Sequence, residues 1–94
     1  MDGIVSTEGV LGGEPRLADR RISVRQIAEL VIDSDRSPTY VADQLTISVA
    51  EVHLALAYYY GNPDEMRLIR ERHRERMRKA RNYAIEPPSK PQRG

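Results

Sequence analysis

Apolar residues recur every three or four positions between residues 24 and 33, the spacing of one side of an α-helix. The repeating positions are Val24, Ile27, Ala28, Leu30 and Val31. Ser23 stands just before them, and a serine there accepts a hydrogen bond from the first helical turn. The polar run Ser34-Asp35-Arg36 follows them. The pattern predicts a helix over residues 24–33 that starts after Ser23 and buries one side.

A second start signal is Ser37-Pro38, a serine in the N-cap position followed by proline at the first helical position. It predicts a short helix over residues 38–44. The apolar contacts of this helix are expected from Tyr40 or Val41 and from Leu45. The residues after Leu45 would then form the turn to the next helix.

The third predicted helix begins after Ser48. Glu51 follows three residues later, which is the capping-box spacing, in which each side chain bonds to the backbone N–H of the other residue. The helix is predicted to end near Tyr60, because Gly61 follows. Its core-facing side is predicted from helical spacing to be Leu45, Val49, Val52, Leu56 and Tyr59.

Asn62-Pro63 marks the start of a fourth helix, with asparagine as the predicted cap and two acidic residues in the first turn. The helix is predicted to run to about Ala84, a length of ~33 Å. Its narrow apolar stripe, of the coiled-coil kind, is Met66, Ile69, His73, Met77, Ala80 and Ala84, with His73 interpreted as a spacer rather than a ligand. A helix so exposed is marginal by itself, so the stripe is predicted to dock on another surface.

The segment before the first helix contains three short β-prone pieces, at residues 3–6, 15–17 and 20–22. Ala18-Asp19 is suited to a tight turn between the last two pieces. An isolated two-stranded hairpin is unstable, so these pieces are expected to need a partner strand, for which a second chain is one source.

These patterns predict a mostly α fold in four parts. They are a β-prone arm (1–22), a tri-helical core (23–61), a basic amphipathic helix (62–84) and a Pro-rich disordered tail (85–94). Two short helices joined by a turn, with a helix before them, match the layout of a helix-turn-helix. On spacing alone, an ordinary small helical bundle without a nucleic-acid role fits equally well.

Composition narrows the function classes. There is no cysteine, and the two histidines lie far apart, so neither a metal site nor a cofactor is expected. The carboxylates are scattered and the glycines form no phosphate-binding loop, so the chain is not expected to be an enzyme. No run approaches the about 18 apolar residues of a membrane helix, and the N-terminus lacks signal-peptide features. A cytoplasmic location without membrane contact is therefore expected.

Charge is divided unevenly along the chain. Residues 1–61 carry five arginines against nine acidic residues, net −4, whereas residues 62–94 carry ten basic against five acidic residues, net +5. Such asymmetry suggests a partner of opposite charge, either nucleic acid or an acidic protein, although a merely solvated basic helix is the alternative. Apolar residues make up 39% of the chain, with no Phe or Trp. This is thin for a monomeric core, so a homodimer is expected.

Four ordered motifs resemble the domain of unknown function 433 family. They are Leu11-Gly12-Gly13-Glu14-Pro15-Arg16-Leu17, Arg21-Ile22-Ser23-Val24, Ser37-Pro38 and Ala55-Leu56-Ala57-Tyr58-Tyr59-Tyr60. They are similar to that family's Gly-Gly-x-Pro-Arg-Ile arm, its Gly-Thr-Arg-Ile-x-Val entry to the first helix, its Ser-Pro helix start and its Ala-x-x-Tyr-Tyr-Tyr close. The resemblance covers about residues 10–65. Asp19-Arg20 stand where the family usually has Gly-Thr, so the turn there is expected to differ.

The resemblance implies a homeodomain-like or winged helix-turn-helix fold. Members of that family are often described as VapB-like antitoxins paired with a neighbouring PIN-like ribonuclease toxin. Such antitoxins dimerise, bind their own promoter DNA and neutralise the toxin with a C-terminal segment. A PIN-like toxin and promoter DNA are therefore the expected partners of this chain.

The basic helix is the expected toxin-binding segment. An apolar stripe fits a groove, and an arginine fits the carboxylate-lined metal pocket of a nuclease. The predicted partner-binding residues are Met66, Ile69, Arg70, Arg74, Met77, Arg78 and Arg81, with Arg76 as a further candidate for the blocking arginine.

DNA binding has less support in the residues. The predicted DNA-binding residues are Arg20, Arg21, Arg25, Arg36, Ser48 and His53. The third helix offers few groups that read base edges, and its Glu51 is needed as a cap and repels phosphate. The net charge of residues 1–61 also opposes tight binding.

Three function classes follow from the sequence. The favoured class is an antitoxin that also regulates transcription. The second is a dimeric protein-interaction module without DNA binding, and the third is a nucleic-acid binder that acts through the basic helix. The identity of the adjacent gene would separate the first two.

Overall fold

Ser23, Ser37 and Ser48 each precede a helix in the computed structural model, as predicted. Each serine hydroxyl accepts a hydrogen bond from the backbone N–H three residues later. Gln26 and Glu51 accept in return from the backbone N–H of the serine and so complete two capping boxes. These bonds satisfy donors that a first helical turn otherwise leaves unpaired. The three helix starts predicted from the sequence are therefore confirmed.

The structure describes residues 1–85, with side chains as far as residue 82, and is mostly helical with one two-stranded antiparallel sheet. In chain order the elements are β1 (Ile4–Val5), a 3-10 turn (Leu11–Gly13), β2 (Arg16–Leu17), α1 (Val24–Ala28), α2 (Pro38–Leu45), α3 (Val49–Gly61) and α4 (Pro63–Ile85). The mostly α fold class is confirmed. The disordered tail predicted at 85–94 lies outside the described residues from Glu86 onwards.

The first predicted helix is continuous, but its second half is wider than an α-helix. α1 ends at Ala28 and continues as a π-helical segment, Glu29–Asp33. The Ser34 N–H donates to the carbonyl of Glu29, five residues earlier, at 2.9 Å. The predicted extent of this helix is confirmed, whereas the geometry of its last turn differs from the predicted α-helix.

A three-residue connection joins α2 to α3. Thr46 closes α2 in the left-handed conformation, with φ of 57°. The N–H of Thr46 donates to Asp43 and the N–H of Ile47 donates to the Ala42 carbonyl at 3.0 Å, the pair of bonds that commonly ends a helix. This closure directs Ile47, which is 9% exposed, back into the core before Ser48 starts α3.

The core lies between α1, α2, α3, the sheet and the first turns of α4. Its most deeply buried apolar side chains include Leu17, Val24, Ile27, Val41, Val52, Ala55 and Met66. Val41 rather than Tyr40 faces inwards on α2. Val49, predicted to face the core, is 39% exposed, because the buried side of α3 is centred on Val52 and Ala55.

The two strands of the arm pair with each other. Ile4 lies opposite Leu17 in antiparallel register, and both side chains are buried. Within one chain, β1 and β2 are each other's partner strand, and both pack on α3, which covers the sheet. The homodimer stays a prediction, without support from unpaired strands.

The tight turn predicted after β2 is present. Asp19 takes the left-handed conformation, with φ of 63°, at the place where the resembling family has glycine. Aspartate tolerates this conformation better than most residues. The Arg16 guanidinium donates to the Arg20 carbonyl at 2.9 Å and so holds the turn. The third β-prone piece forms no strand, and only an isolated bridge joins Arg16 to Ser23.

Candidate functional site

α4 packs on the rest of the chain over its first turns only. Met66 is 1% exposed and Ile69 is 8% exposed. His73 is half-buried, and every residue from Arg74 to Asn82 is exposed. The helix therefore has two parts, which we call the α4 root (residues 63–73) and the α4 end (residues 74–82).

The junction of α3 and α4 differs from the prediction in one contact. The Asn62 carbonyl accepts the first helical hydrogen bond, from the Met66 N–H. The Asn62 side-chain amide, predicted to cap α4, donates instead to the Tyr58 carbonyl of α3 at 3.0 Å. The Tyr58 hydroxyl donates to Glu65 at 2.6 Å, and burial together with this bond raises the pKa of Tyr58 to about 12. These contacts fasten the α4 root to the end of α3.

Two of the predicted partner-binding residues contact the chain's own core. Met66 and Ile69 belong to the same apolar cluster as the core residues of α1–α3. They are therefore not accessible anchors for another molecule in this arrangement. Met77, which is 48% exposed, is the predicted anchor that stays accessible. The spacing of an apolar stripe does not indicate which surface covers it. The sequence therefore does not distinguish the buried Met66 and Ile69 from the accessible Met77.

Arg70 is held inward at the α4 root. Its guanidinium bonds to the carboxylate of Asp33 and donates to the Tyr59 hydroxyl at 2.9 Å. The bond to Asp33 raises the pKa of Arg70. This predicted partner-binding residue therefore connects α4 to the π-helical segment after α1.

The other arginines of α4 differ in their contacts. Arg78 pairs with Glu75 one turn earlier, and this bond raises the pKa of Arg78. Arg76 reaches Glu14 at 3.4 Å. The cations of α4 that form no ion pair with any described side chain are Arg72, Arg74, Lys79 and Arg81. Arg74 and Arg81, both predicted to bind a partner, are therefore available to one.

The residues predicted to bind DNA fall into two groups. Arg20 pairs with Glu51 at 3.1 Å, Arg25 pairs with Glu14 at 3.1 Å, and the Ser48 hydroxyl is used by the α3 cap. The second group, Arg21, Arg36 and His53, is exposed and forms no ion pair with any described side chain. Half of the predicted set is thus engaged within the chain.

An ion pair that the sequence did not predict lies beneath α1. The Glu14 side chain is 9% exposed and bonds to Arg25, whose side chain is 12% exposed. Arg25 also reaches Glu29 at 3.1 Å, and Arg76 reaches Glu14 from the α4 end. Glu14 belongs to one of the motifs that carry the family resemblance, but a motif does not indicate that the Glu14 carboxylate points into the protein.

α3 exposes a continuous side that carries no Lys, Arg, Asp or Glu. We call this side the α3 strip, and its members are Val49, Ala50, His53, Ala57 and Tyr60. Tyr60 is 66% exposed. Exposed sides of helices are normally polar, so an apolar side marks a candidate interaction surface. In the sequence, Ala57 and Tyr60 belong to the 55–60 motif that carries the family resemblance, and helical spacing alone does not mark them as exposed.

Residues 1–82 contain no cluster of three or more His, Cys, Asp or Glu side chains placed to hold a metal ion. Among the helices of the described part of the chain, none is both long and apolar enough to cross a membrane. Open grooves run along α4, and one of them brings Tyr59 and Tyr60 together with arginines of the α4 root.

A comparison with known protein families matches the segment that contains the arm and most of the three core helices. Residues 4–59 match the model of the family described as Protein of unknown function (DUF433). No curated protein and no solved structure matches the chain. The match begins earlier than the resemblance predicted from residue 10 and includes β1. Because it covers more than half of the 94 residues, the chain belongs to the DUF433 family.

Proposed function

We propose that this protein is an antitoxin-like regulator whose α4 end binds and inhibits a PIN-like nuclease. The observation that carries the proposal is the division of α4. Its root is fixed in the core, whereas the α4 end is exposed along its whole length and carries cations without partners. An anchored helix with an exposed basic end loses less conformational freedom on binding than a disordered tail would.

Arg74, Met77 and Arg81 are spaced by three and four residues, so they lie on one side of the α4 end. The two guanidiniums would pair with nuclease carboxylates, and the exposed Met77 between them would contact an apolar wall. Charge-assisted bonds between arginine and carboxylate are among the strongest in proteins. An arginine in the metal pocket would exclude the metal ion that such nucleases use.

The test identifies the gene adjacent to that of this chain and, where it encodes a PIN-like nuclease, measures inhibition of that nuclease. Replacing Arg74 and Arg81 together by Ala is expected to weaken binding by at least about tenfold, because each change removes a charge-assisted bond. The matched control is the double Ala variant of Arg72 and Lys79, which removes the same charge from the opposite side of α4. Equal losses for both variants would overturn the proposal, because they would show attraction by net charge alone.

The same proposal includes a homodimer formed through the α3 strip. In a two-fold interface the same surface of each copy meets its equivalent on the other copy. A strip without Lys, Arg, Asp or Glu therefore brings none of these charges together. Val49→Glu would place two carboxylates in such an interface and is expected to yield monomers by sedimentation. Leu68→Glu changes an equally exposed apolar residue of α4 and should leave the dimer intact. A wild-type monomer would remove this part of the proposal.

Promoter binding is a second candidate, favoured by the short α2–α3 connection, which is the layout of a helix-turn-helix. Arg21 and Arg36 are exposed and form no ion pair with any described side chain, so they are available for phosphate contacts. A gel shift on the upstream DNA should weaken steeply with salt and be lost when Arg21 and Arg36 are both replaced by Ala. No shift at low salt would reject this candidate.

A further inference from the structure

A groove lies where α3 meets the α4 root. Its volume is about 260 Å³, and it is lined by Tyr59, Tyr60, Pro63, Arg67, Arg70, Glu71 and Arg74. Pockets for whole small ligands have volumes of roughly 300–1,000 Å³, so this groove is suited to one planar group rather than a complete small molecule.

One wall of the groove is aromatic. Tyr59 and Tyr60 meet edge to face, with ring centroids 5.3 Å apart and planes at 89°. The Tyr59 hydroxyl is bonded to Arg70, whose guanidinium carbon lies 5.8 Å from the Tyr59 ring centroid. Tyr59 is thus fixed in place, whereas Tyr60 is 66% exposed. The groove therefore presents an accessible ring supported by a fixed one.

The other wall carries guanidinium groups. Arg67 pairs only with Asp64, and the two side chains are 62% and 87% exposed. Such surface pairs are weak and exchange easily for a stronger anion. Arg74 has no ion pair with any described side chain. Glu71 is the one carboxylate among the residues that line the groove, and it would repel an anionic ligand. The negative charge of a ligand is therefore expected beside Arg67 and Arg74 rather than beside Glu71.

The basic side continues beyond the groove. A neighbouring groove shares Arg70 and Arg74 and extends along α4 to Met77 and Arg81, and it is also lined by His73 and by two acidic residues, Glu29 and Asp33. From Arg67 to Arg81 the helix rises ~21 Å. The chain thus places an aromatic platform at one end of a line of arginines, the combination that binds single-stranded nucleic acid.

We propose that the groove binds a segment of single-stranded RNA or DNA, with one base stacked on Tyr60 and phosphates on Arg67 and Arg74. A duplex would not supply a base face to Tyr60, because its bases are stacked on each other. The site lies at the α4 root and thereby goes beyond the proposed nuclease binding, which rests on the α4 end. The groove shares Arg74 with the proposed nuclease contact and Tyr60 with the α3 strip, so the test measures nuclease inhibition and dimer mass alongside nucleic-acid binding.

The experiment measures fluorescence anisotropy of a labelled oligouridine of about eight nucleotides, within the usual range of site sizes. The full chain is expected to bind it, and Tyr60→Ala is expected to weaken binding about tenfold through loss of stacking. Tyr60→Phe keeps the ring and should retain binding. Tyr40→Ala is the matched control, since Tyr40 is also exposed and lies beside an arginine, Arg36, on the separate helix α2. It should leave binding unchanged.

Arg67→Ala should weaken binding and lower the slope of affinity against salt by about one. Equal affinity for a duplex of the same length would overturn the proposal, as would no binding at low salt. A Tyr60→Ala variant that binds RNA normally but loses dimer mass would assign Tyr60 to self-association and would also overturn it. Nuclease inhibition by Tyr60→Ala, measured in parallel, separates this site from the α4 end, because the proposed inhibition does not require Tyr60.

Discussion

α3 and α4 are consecutive helices that meet at Asn62, yet they expose opposite kinds of surface. The exposed side of α3 carries no Lys, Arg, Asp or Glu, whereas the α4 end carries almost nothing but charge. α3 is held by packing along its length, since Val52 and Ala55 are fully buried and Leu56 is partly so. The α4 end has no such support and depends on local pairs such as Arg78–Glu75.

This difference shows that exposure alone does not predict a partner. An uncharged strip of small residues and rings fits a surface of its own kind, including a second copy. A basic helix end fits carboxylates or phosphates. The difference in charge between α3 and α4 is visible in the sequence, but only the contacts with the core show which part of α4 is buried and which part is accessible to a partner.

The largest effect should distinguish the α4 root from the α4 end. Met66→Ala is expected to lower the free energy of unfolding by about 3 kcal/mol, because it removes a fully buried side chain and leaves a cavity. Met77→Ala, at an exposed position of the same helix, should change it by less than about 0.5 kcal/mol. Urea unfolding monitored by circular dichroism measures both. Similar losses would mean that the α4 end also packs on the protein.

The second effect compares two arginines that reach the same carboxylate. Arg25→Ala should cost about 2–3 kcal/mol, because it leaves the buried Glu14 without its closer partner. Arg76→Ala should cost less than about 1 kcal/mol, because its side chain is 60% exposed. Thermal unfolding of the two variants decides this. A larger loss of stability from Arg76→Ala than from Arg25→Ala would mean that the α4 end stabilises the core despite its exposure.

The third effect concerns the starts of the two helices. Ser48→Ala should cost about 1 kcal/mol, because it leaves the Glu51 N–H without its cap. Asn62→Ala should cost a net of about 0.5–1.5 kcal/mol, the usual contribution of one hydrogen bond, because its amide contacts the end of α3. Amide hydrogen exchange would locate the effects. Ser48→Ala should increase exchange in the first turn of α3, and Asn62→Ala should increase it at the α3–α4 junction.

The smallest effect is a dependence on pH. The backbone bond from Ser48, followed by the bond from Arg20, lowers the pKa of Glu51, and the bond from Arg78 lowers the pKa of Glu75. A carboxyl group whose pKa is lower in the folded than in the unfolded protein stabilises the folded state at pH values above its unfolded-state pKa, about 4.3. This stabilisation is lost as the pH falls through the folded-state pKa.

The unfolding midpoint should therefore fall between pH 5 and pH 3, and Glu51→Gln should reduce this fall. Glu75→Gln is the matched variant and should leave the pH dependence of global unfolding unchanged, because the α4 end contributes little to the core. A pH profile that Glu51→Gln does not alter would contradict the assigned role of this carboxylate.

Local signals in the sequence predicted much of the fold. The serine caps and the period of apolar residues placed the three core helices within one or two residues, because caps and helical spacing act over a single turn. α4 extends to Ile85, one residue past its predicted end. The family resemblance was also carried by local motifs and is confirmed over residues 4–59.

The differences from the predictions concern which side chains contact a neighbouring element. Asn62 was predicted to cap its own helix, but it bonds to the preceding one. Val49 was predicted to be buried, and it lies in the exposed α3 strip. Arg70 was predicted to reach a partner, and it bonds to Asp33, 37 residues away. Helical spacing and cap signals do not indicate which neighbouring element a side chain meets, or whether it meets one at all.

The sequence by itself determined where helices start and stop, the concentration of positive charge after residue 61 and the family. Capping bonds and helical periodicity depend on residues within one turn, so they can be read from neighbours in the chain. Only the tertiary structure decided which part of the amphipathic stripe of α4 is core and which part is presented, and that tyrosines of α3 share a groove with arginines of α4. Those outcomes depend on which surfaces meet, and burial against a distant element has no signature in local spacing.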